Sequence, residues 1–343
     1  MSTQTVPSPA VNPSAAIGQM INAYWGTFSI YAGASLGIAD LLAEGPATVA
    51  TLAERTQSNA DALYRLLRAL ASLGIFRETE PQTFVQTPLS ETLRRGVPGS
   101  VRGLAVLTGM LHLRAWPEIL HSVKTGETAL KRVFGRELFD QLAAQPELAR
   151  VFDEAFGGYT AMVSGLVADQ YDFGRFRRIV DVGGGNGSLV TAVLARSPGA
   201  RGVTFDLPHV AARAQGAIAK TAVANRCETV GGDFFEAVPA DGDAYTLKMI
   251  LHDWDDHKSI AILKNVRKAI RPDGTLLVIE SVVPPGNEPS PSKLLDVNML
   301  VMTGGRERTK DEYAGLFRAS GFALERVIPC GPTDVIEARA TSE

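Results

Sequence analysis

Val180-Asp181-Val182-Gly183-Gly184-Gly185-Asn186-Gly187 decides the fold of this 343-residue chain. A short apolar strand from Arg178 runs into closely spaced glycines and opens at Ser188 into a helical pattern. Downstream, Gly202 to Phe205, Glu228 to Val230, Tyr245 to Ile250 and Thr275 to Glu280 read as short buried strands. Helical stretches alternate with them after Ser188, Val210, Asp255 and Pro291, and the helix Lys310 to Ser320 precedes two further strands, Ala323 to Ile328 and Val335 to Ala338. The pattern predicts an α/β domain with a doubly wound, mostly parallel sheet, whose ligands bind outside the carboxyl ends of the strands. The spacing G-x-G-x-G is one residue shorter than the loop that cradles a pyrophosphate, so a ligand without phosphates suits it. Asp206 ends the second strand, where a carboxylate can accept both hydroxyl protons of a ribose. Asp233-Phe234 offers a carboxylate and an aromatic face for a base. Against this nucleoside reading stands a plainer one: a tight glycine turn, with Asp206 capping the next helix.

Composition narrows the function classes. Hydrophobic residues make up 45% and charged residues 21%, which excludes a disordered or low-complexity chain. The net charge of −3, without a long basic run, lacks the footprint of a nucleic-acid binder. Cys227 and Cys330 lie far apart, which speaks against a disulfide framework and fits a reducing cytoplasm. Residues 1–16, rich in Ser, Thr, Pro and Ala, read as a disordered tail without the basic region of a signal peptide. The uncharged run from Ile17 is too polar for a membrane span. Its apolar residues Ile17, Met20, Ile21, Tyr24, Trp25 and Phe28 follow helical spacing and call for a partner subunit, so a homodimer is expected. Two helices and a hairpin between Val49 and Gln86 predict a winged-helix arrangement. Its second helix offers only Arg65 and Arg68, which favours a dimerising role over DNA binding. The expected division is 17–100 for this domain, 101–172 for a helical linker and substrate cap, and 173–343 for the Rossmann-like domain.

Five segments in order give a specific resemblance: the glycine loop, Phe205-Asp206-Leu207-Pro208-His209-Val210, Gly231-Gly232-Asp233-Phe234-Phe235, Leu251-His252-Asp253-Trp254 and Gly304-Gly305-Arg306-Glu307-Arg308-Thr309. Together they resemble the caffeate-type small-molecule O-methyltransferases, over nearly the whole chain from Ile17. The resemblance implies a class I methyltransferase fold with a seven-stranded sheet, S-adenosylmethionine as cofactor, S-adenosylhomocysteine as product, and no metal. It assigns Gly183, Gly185 and Gly187 to the methionine end, Asp206 to the ribose, Asp233 and Phe234 to the adenine, Lys248 beside the adenine, and Thr160 to the cofactor carboxylate. Trp116, Phe139, Phe156, Met162, Met299 and Met302 fall where the family lines its acceptor cavity. Plant relatives place a methionine at the position of Phe156 and carry one more residue before Glu307. The chain therefore resembles the bacterial branch, which methylates polyketides and other aromatic natural products.

The chemistry asks for a base. A phenol with a pKa of ~10 is neutral near pH 7 and attacks well only as it loses its proton, which a histidine of reference pKa ~6.5 can accept. His252 stands past the fourth strand, with Glu280 and Glu307 as the carboxylates expected to fix its tautomer and stabilise the imidazolium. Asp255 and Asp256 read as caps of the next helix. Competing readings are the same cofactor with N-methylation, decarboxylation or hydroxylation, an NAD-dependent oxidoreductase, and a ligand-sensing DNA-binding regulator.

Overall fold

The computed structural model describes residues 12–341, so the first eleven residues of the expected tail lie outside the described residues. The chain forms two compact units, Met1–Leu113 with Glu147–Gly158, and Arg114–Pro146 with Tyr159–Glu343. The stretch 101–172, read from sequence as one linker and cap, is thus divided between them. No described helix is long and apolar enough to cross a membrane.

In the first unit, Pro13–Ala16 are helical rather than tail. The Asn12 side chain accepts from the N–H groups of Ser14 and Ala15, and Pro13 at the first helical position has no N–H to lose, so the helix Pro13–Asn22 starts early. The chain continues as Tyr24–Ser35. Across these two helices Ile17, Met20, Ile21, Tyr24, Trp25 and Phe28 are all exposed. Helices Val49–Thr56 and Ala60–Ser72 are capped by Thr48 and Asn59. They pack Leu52, Leu63, Leu67 and Leu70 against Phe76 and Phe84 of the hairpin formed by β2 (Phe76–Glu80) and β3 (Thr83–Gln86). A short strand that sequence reading missed, β1 (Ala47–Thr48), adds antiparallel to β3. Two residues carry too little alternation to be seen as a strand.

The second unit is built on a seven-stranded sheet of order β6-β5-β4-β7-β8-β10-β9. Its strands are β4 (Arg178–Val182), β5 (Arg201–Asp206), β6 (Cys227–Gly231), β7 (Ala244–Lys248), β8 (Thr275–Glu280), β9 (Phe322–Cys330) and β10 (Thr333–Ala340). Only β10 runs antiparallel to β8 and β9. Alternation along each strand supplies both faces: Val180, Val182, Leu276 and Val278 join one core cluster, Ile179, Leu277 and Ile279 the other. Strand order reverses between β4 and β7, so the crevice at their carboxyl ends is the place for a ligand. The sequence reading carried β7 on to Ile250, but the strand ends at Lys248, because Met249 takes a left-handed conformation with φ of 56°. The chain then leaves the sheet in the tight turn Leu251–Asp253.

Arg226 closes the end of the helix Ser188–Arg196, donating to the carbonyls of Leu194, Ser197 and Ala200 at 2.7, 3.0 and 2.8 Å. Arg226→Ala would strand these acceptors, and denaturant unfolding should show a loss of about 1–3 kcal/mol. An unchanged midpoint would mean that solvent satisfies them.

Candidate active site

The glycine loop follows β4 because only glycine takes its turns cheaply: Gly183, Gly185 and Gly187 have φ of 68°, 57° and 79°. A Cβ on Gly183 would meet the Ile250 side chain at 2.3 Å, whereas one on Gly185 would meet open space. The N–H groups of Gly183 and Gly184 donate to the Phe205 carbonyl at 2.8 and 3.1 Å, tying the loop to the end of β5. Beside it, Asp206 accepts from Gly185 N–H at 2.9 Å through one oxygen and from Leu207 N–H at 2.7 Å through the other. Each carboxylate oxygen keeps acceptor capacity for a further donor, as a diol requires. Burial raises the pKa of this carboxyl, against the lowering effect of those two N–H groups.

Past β6, Asp233 accepts from Phe235 N–H at 2.8 Å, while Asn265 donates to the carbonyls of Phe234 and Phe235 at 3.0 and 2.9 Å and fixes the loop from below. Lys248, at the end of β7, has its pKa lowered by burial. Asp181, which the sequence reading quoted without a role, lies buried under the loop. It accepts from the Thr246 hydroxyl at 2.7 Å, its second oxygen is unpartnered, and burial pushes its carboxyl up to about 6. An open glycine turn, a paired carboxylate with spare acceptor capacity and an aromatic side chain on adjacent strand ends fit a nucleoside carrying a polar tail. Thr160 is half-buried in the same unit and makes no side-chain hydrogen bond among the described residues.

His252 is 6% exposed. Its Nδ1 lies 2.7 Å from Glu307 Oε1, so the neutral ring donates there and keeps the Nε2 lone pair for an incoming proton. Asp253 Oδ1 is 3.8 Å from Nε2, beyond hydrogen-bond reach. Burial opposes the imidazolium, but the carboxylates of Asp253, Glu307 and Glu280 outweigh it and raise the His252 pKa to about 9. Burial likewise pushes Asp253 up to about 6 and raises Glu307. The expectation that both carboxylates fix the tautomer and stabilise the imidazolium divides at Glu280, whose charge favours the imidazolium but which makes no hydrogen bond to the ring. Its Oε1 accepts the backbone N–H groups of Ile250 and His252 at 3.0 and 3.1 Å, and Tyr313 donates its hydroxyl to Oε2. Glu280 therefore holds the turn and Glu307 the imidazole. Asp296 in turn accepts the Glu307 N–H at 2.9 Å.

The expected acceptor-lining residues divide. Phe139 stacks on Trp254 at 5.9 Å between ring centroids, two residues from His252. Trp116 donates its indole N–H to Asn298 Oδ1 at 3.1 Å. Met299 and Met302 are buried on the helix Pro291–Met302, and Met162 is half exposed. Phe156 belongs to the other unit, where its ring packs on Phe152 at 4.7 Å. Sequence reasoning gave no roles to Trp254, Asn298, Asn265, Asp296, Tyr313 or Arg308. Their pairings join residues far apart in the chain, which no local pattern encodes.

Two family descriptions match the chain: an O-methyltransferase domain over residues 116–323 and an O-methyltransferase dimerisation domain over residues 19–96. The phenazine O-methyltransferase PhzM of Lysobacter antibioticus is 50% identical over 331 residues, covering 96% of this chain and 97% of the relative. The phenazine-1-carboxylate N-methyltransferase of Pseudomonas aeruginosa is 33% identical and covers 94% and 96%. Among solved structures, that of LaPhzM superposes with a TM-score of 0.93 at 50% identity, covering 96% of this chain and all of that one. The O-methyltransferase NcsB1 of neocarzinostatin biosynthesis, in complex with S-adenosylmethionine and 2-hydroxy-5-methyl naphthoic acid, gives 0.82 at 30% identity, covering 92% and 96%.

Carbon-13 NMR titration of the histidines should show His252 changing charge near pH 9 in the free protein, and at lower pH in Glu307→Gln. Because the folded value exceeds the unfolded ~6.5, the pair's contribution to stability is complete below ~6.5 and is lost as pH rises through about 9. A His252 titration near the unfolded value would show that the carboxylates do not govern the ring.

Proposed function

The chain belongs to the O-methyltransferase family that carries an N-terminal dimerisation domain, and we propose that it methylates a phenolic hydroxyl of a fused-ring aromatic natural product, with His252 as general base. At the coarser level, it is an S-adenosylmethionine-dependent methyltransferase of this family. The observation that carries the finer reading is the His252–Glu307 pair. An oxygen nucleophile arrives with a proton that must leave, whereas a pyridine-type ring nitrogen attacks with a free lone pair and needs no base. A buried imidazole that donates through Nδ1 and accepts through Nε2 is suited to the first case. The similarity to a phenazine O-methyltransferase favours a flat fused-ring acceptor, and the Phe139–Trp254 stack offers aromatic surface for one.

The glycine loop would hold the methionine end of the cofactor, Asp206 the ribose, and Asp233 with Phe234 the adenine; Lys248 and Thr160 are assigned beside them. When bound, S-adenosylmethionine supplies an electrophilic methyl on a positively charged sulfur. His252 Nε2 would take the proton of the attacking hydroxyl, and Glu307 would compensate the imidazolium that results. Glu280 keeps the turn in place, and the buried position of His252 keeps water from competing. No metal enters these steps, so activity is expected to survive chelators. Trp116, Met299 and Asn298 would grip the acceptor, with Phe139, Met162 and Met302 as further lining. The exposed apolar side chains from Ile17 to Phe28 would be covered by a second copy of the chain, giving a homodimer.

Calorimetry should show saturable S-adenosylmethionine binding, weakened in Asp206→Ala by about 1.5–3 kcal/mol. Unchanged affinity would place the ribose elsewhere. With 1-hydroxyphenazine as acceptor, His252→Ala should retain cofactor affinity and lose roughly 10²-fold or more in kcat. The wild-type kcat/KM should rise with pH towards about 9, as His252 loses its proton in the free enzyme. A wild-type rate in His252→Ala would remove the base from the mechanism.

A further inference from the structure

His252 stands on a turn that regular secondary structure does not support. β7 ends at Lys248, Met249 is left-handed, and three residues later the imidazole must be held to within about 0.5 Å to act. The backbone of this turn is gripped from two sides by groups distant in sequence. On the N–H side, Glu280 accepts from Ile250 and His252. On the carbonyl side stands the segment 306–308: Arg306 N–H donates to the His252 carbonyl at 2.9 Å, and Arg308 reaches the carbonyls that flank it. Its Nη1 donates to Leu251 O at 2.9 Å and its Nη2 to Trp254 O at 2.8 Å. Nη2 also reaches Ser259 Oγ at 3.3 Å, and Nε and Nη2 donate to Asp256 Oδ1 at 3.0 and 2.9 Å. Arg308 is 0% exposed, the largest of the fully buried side chains.

We infer that Arg308 is a positioning residue for His252, locking the carbonyls of the 251–254 turn so that the ring stays in register with Glu307, the residue next to Arg308 in the chain. This rests on the reading of His252 as the base. Burying a guanidinium is costly where an apolar side chain would fill the same space. What it supplies is a rigid planar fork whose donors satisfy two carbonyls, a hydroxyl and a carboxylate at once. Lysine carries the charge without the fork. The close approach is visible in Gly305 as well, where a Cβ would fall 2.0 Å from the His252 carbonyl oxygen.

The test compares wild type, Arg308→Lys, His252→Ala and the double variant, using 1-hydroxyphenazine as acceptor, together with histidine NMR titration, which needs no acceptor. Arg308→Lys should lower kcat by about 10-fold or more while KM and cofactor affinity hold. It should also lower the His252 pKa by loosening the contact with Glu307. In the His252→Ala background it should cost nothing further, since it acts through the ring already removed. An unchanged kcat and titration, or a loss that multiplies with that of His252→Ala, would overturn the inference. A wild-type rate in His252→Ala would instead defeat the reading of the base, and the two failures are therefore distinct. If Arg308→Lys does not fold, the exposed anchor Asp256→Ala replaces it. A several-fold fall in kcat with a lowered His252 pKa then supports the role, and no change in either overturns it.

Discussion

Everything in the catalytic half is arranged around one buried charge contact, His252 against Glu307 at 2.7 Å. Removing both groups from water is expensive, and their attraction offsets that cost only when the remaining polar atoms are satisfied and the geometry is fixed. The fold fixes the geometry with backbone rather than with more side chains around the ring, while Glu307 Oε2 stays buried without a hydrogen-bond partner among the described residues. β7 stops early, the turn is captured by Glu280 on one side and by residues 306–308 on the other, and Tyr313 secures Glu280 from beneath. The consequence is an imidazole whose Nδ1 is committed to Glu307 and whose Nε2 can accept a proton once the ring is neutral.

The doubly wound sheet brings the two halves of the site to one edge. The glycine loop leaves β4 and the His252 turn leaves β7, neighbouring strands between which the order reverses. Their contact is direct, since Ile250 packs where a side chain on Gly183 would have stood. The loop that would hold the cofactor and the turn that carries His252 therefore meet directly through an apolar contact. That arrangement suits a transfer reaction governed by alignment of donor and acceptor.

Much of this was legible in the sequence where the information is local. β4 and β8 match their expected limits because buried parallel strands are unbroken apolar runs ended by a glycine loop or a charged residue. The glycine loop, Asp206, His252 and Glu307 could be singled out because each closes or follows such a strand or lies in a short motif. The end of β7 was misplaced because Met249 and Ile250 look like strand residues, and what turns the chain there is a carboxylate thirty residues away, Glu280 bonding to Ile250 N–H. That Glu280 bonds the backbone of the histidine and not its ring escaped the sequence for the same reason. The helix start at Pro13 was overlooked although its Asn-Pro cap was in view, because the surrounding Ser, Thr and Ala residues resemble a tail.

Relatives of this chain carry names for transfer to oxygen and to nitrogen, so similarity alone leaves the accepting atom to the chemistry of the site. The base argued above has work to do only if the nucleophile brings a proton. The most direct measurement uses S-adenosylmethionine with a deuterated methyl group and 1-hydroxyphenazine, an acceptor that offers both a hydroxyl and ring nitrogens, with the product resolved by NMR. The account predicts a deuterated methoxy group. A methyl on ring nitrogen would contradict it.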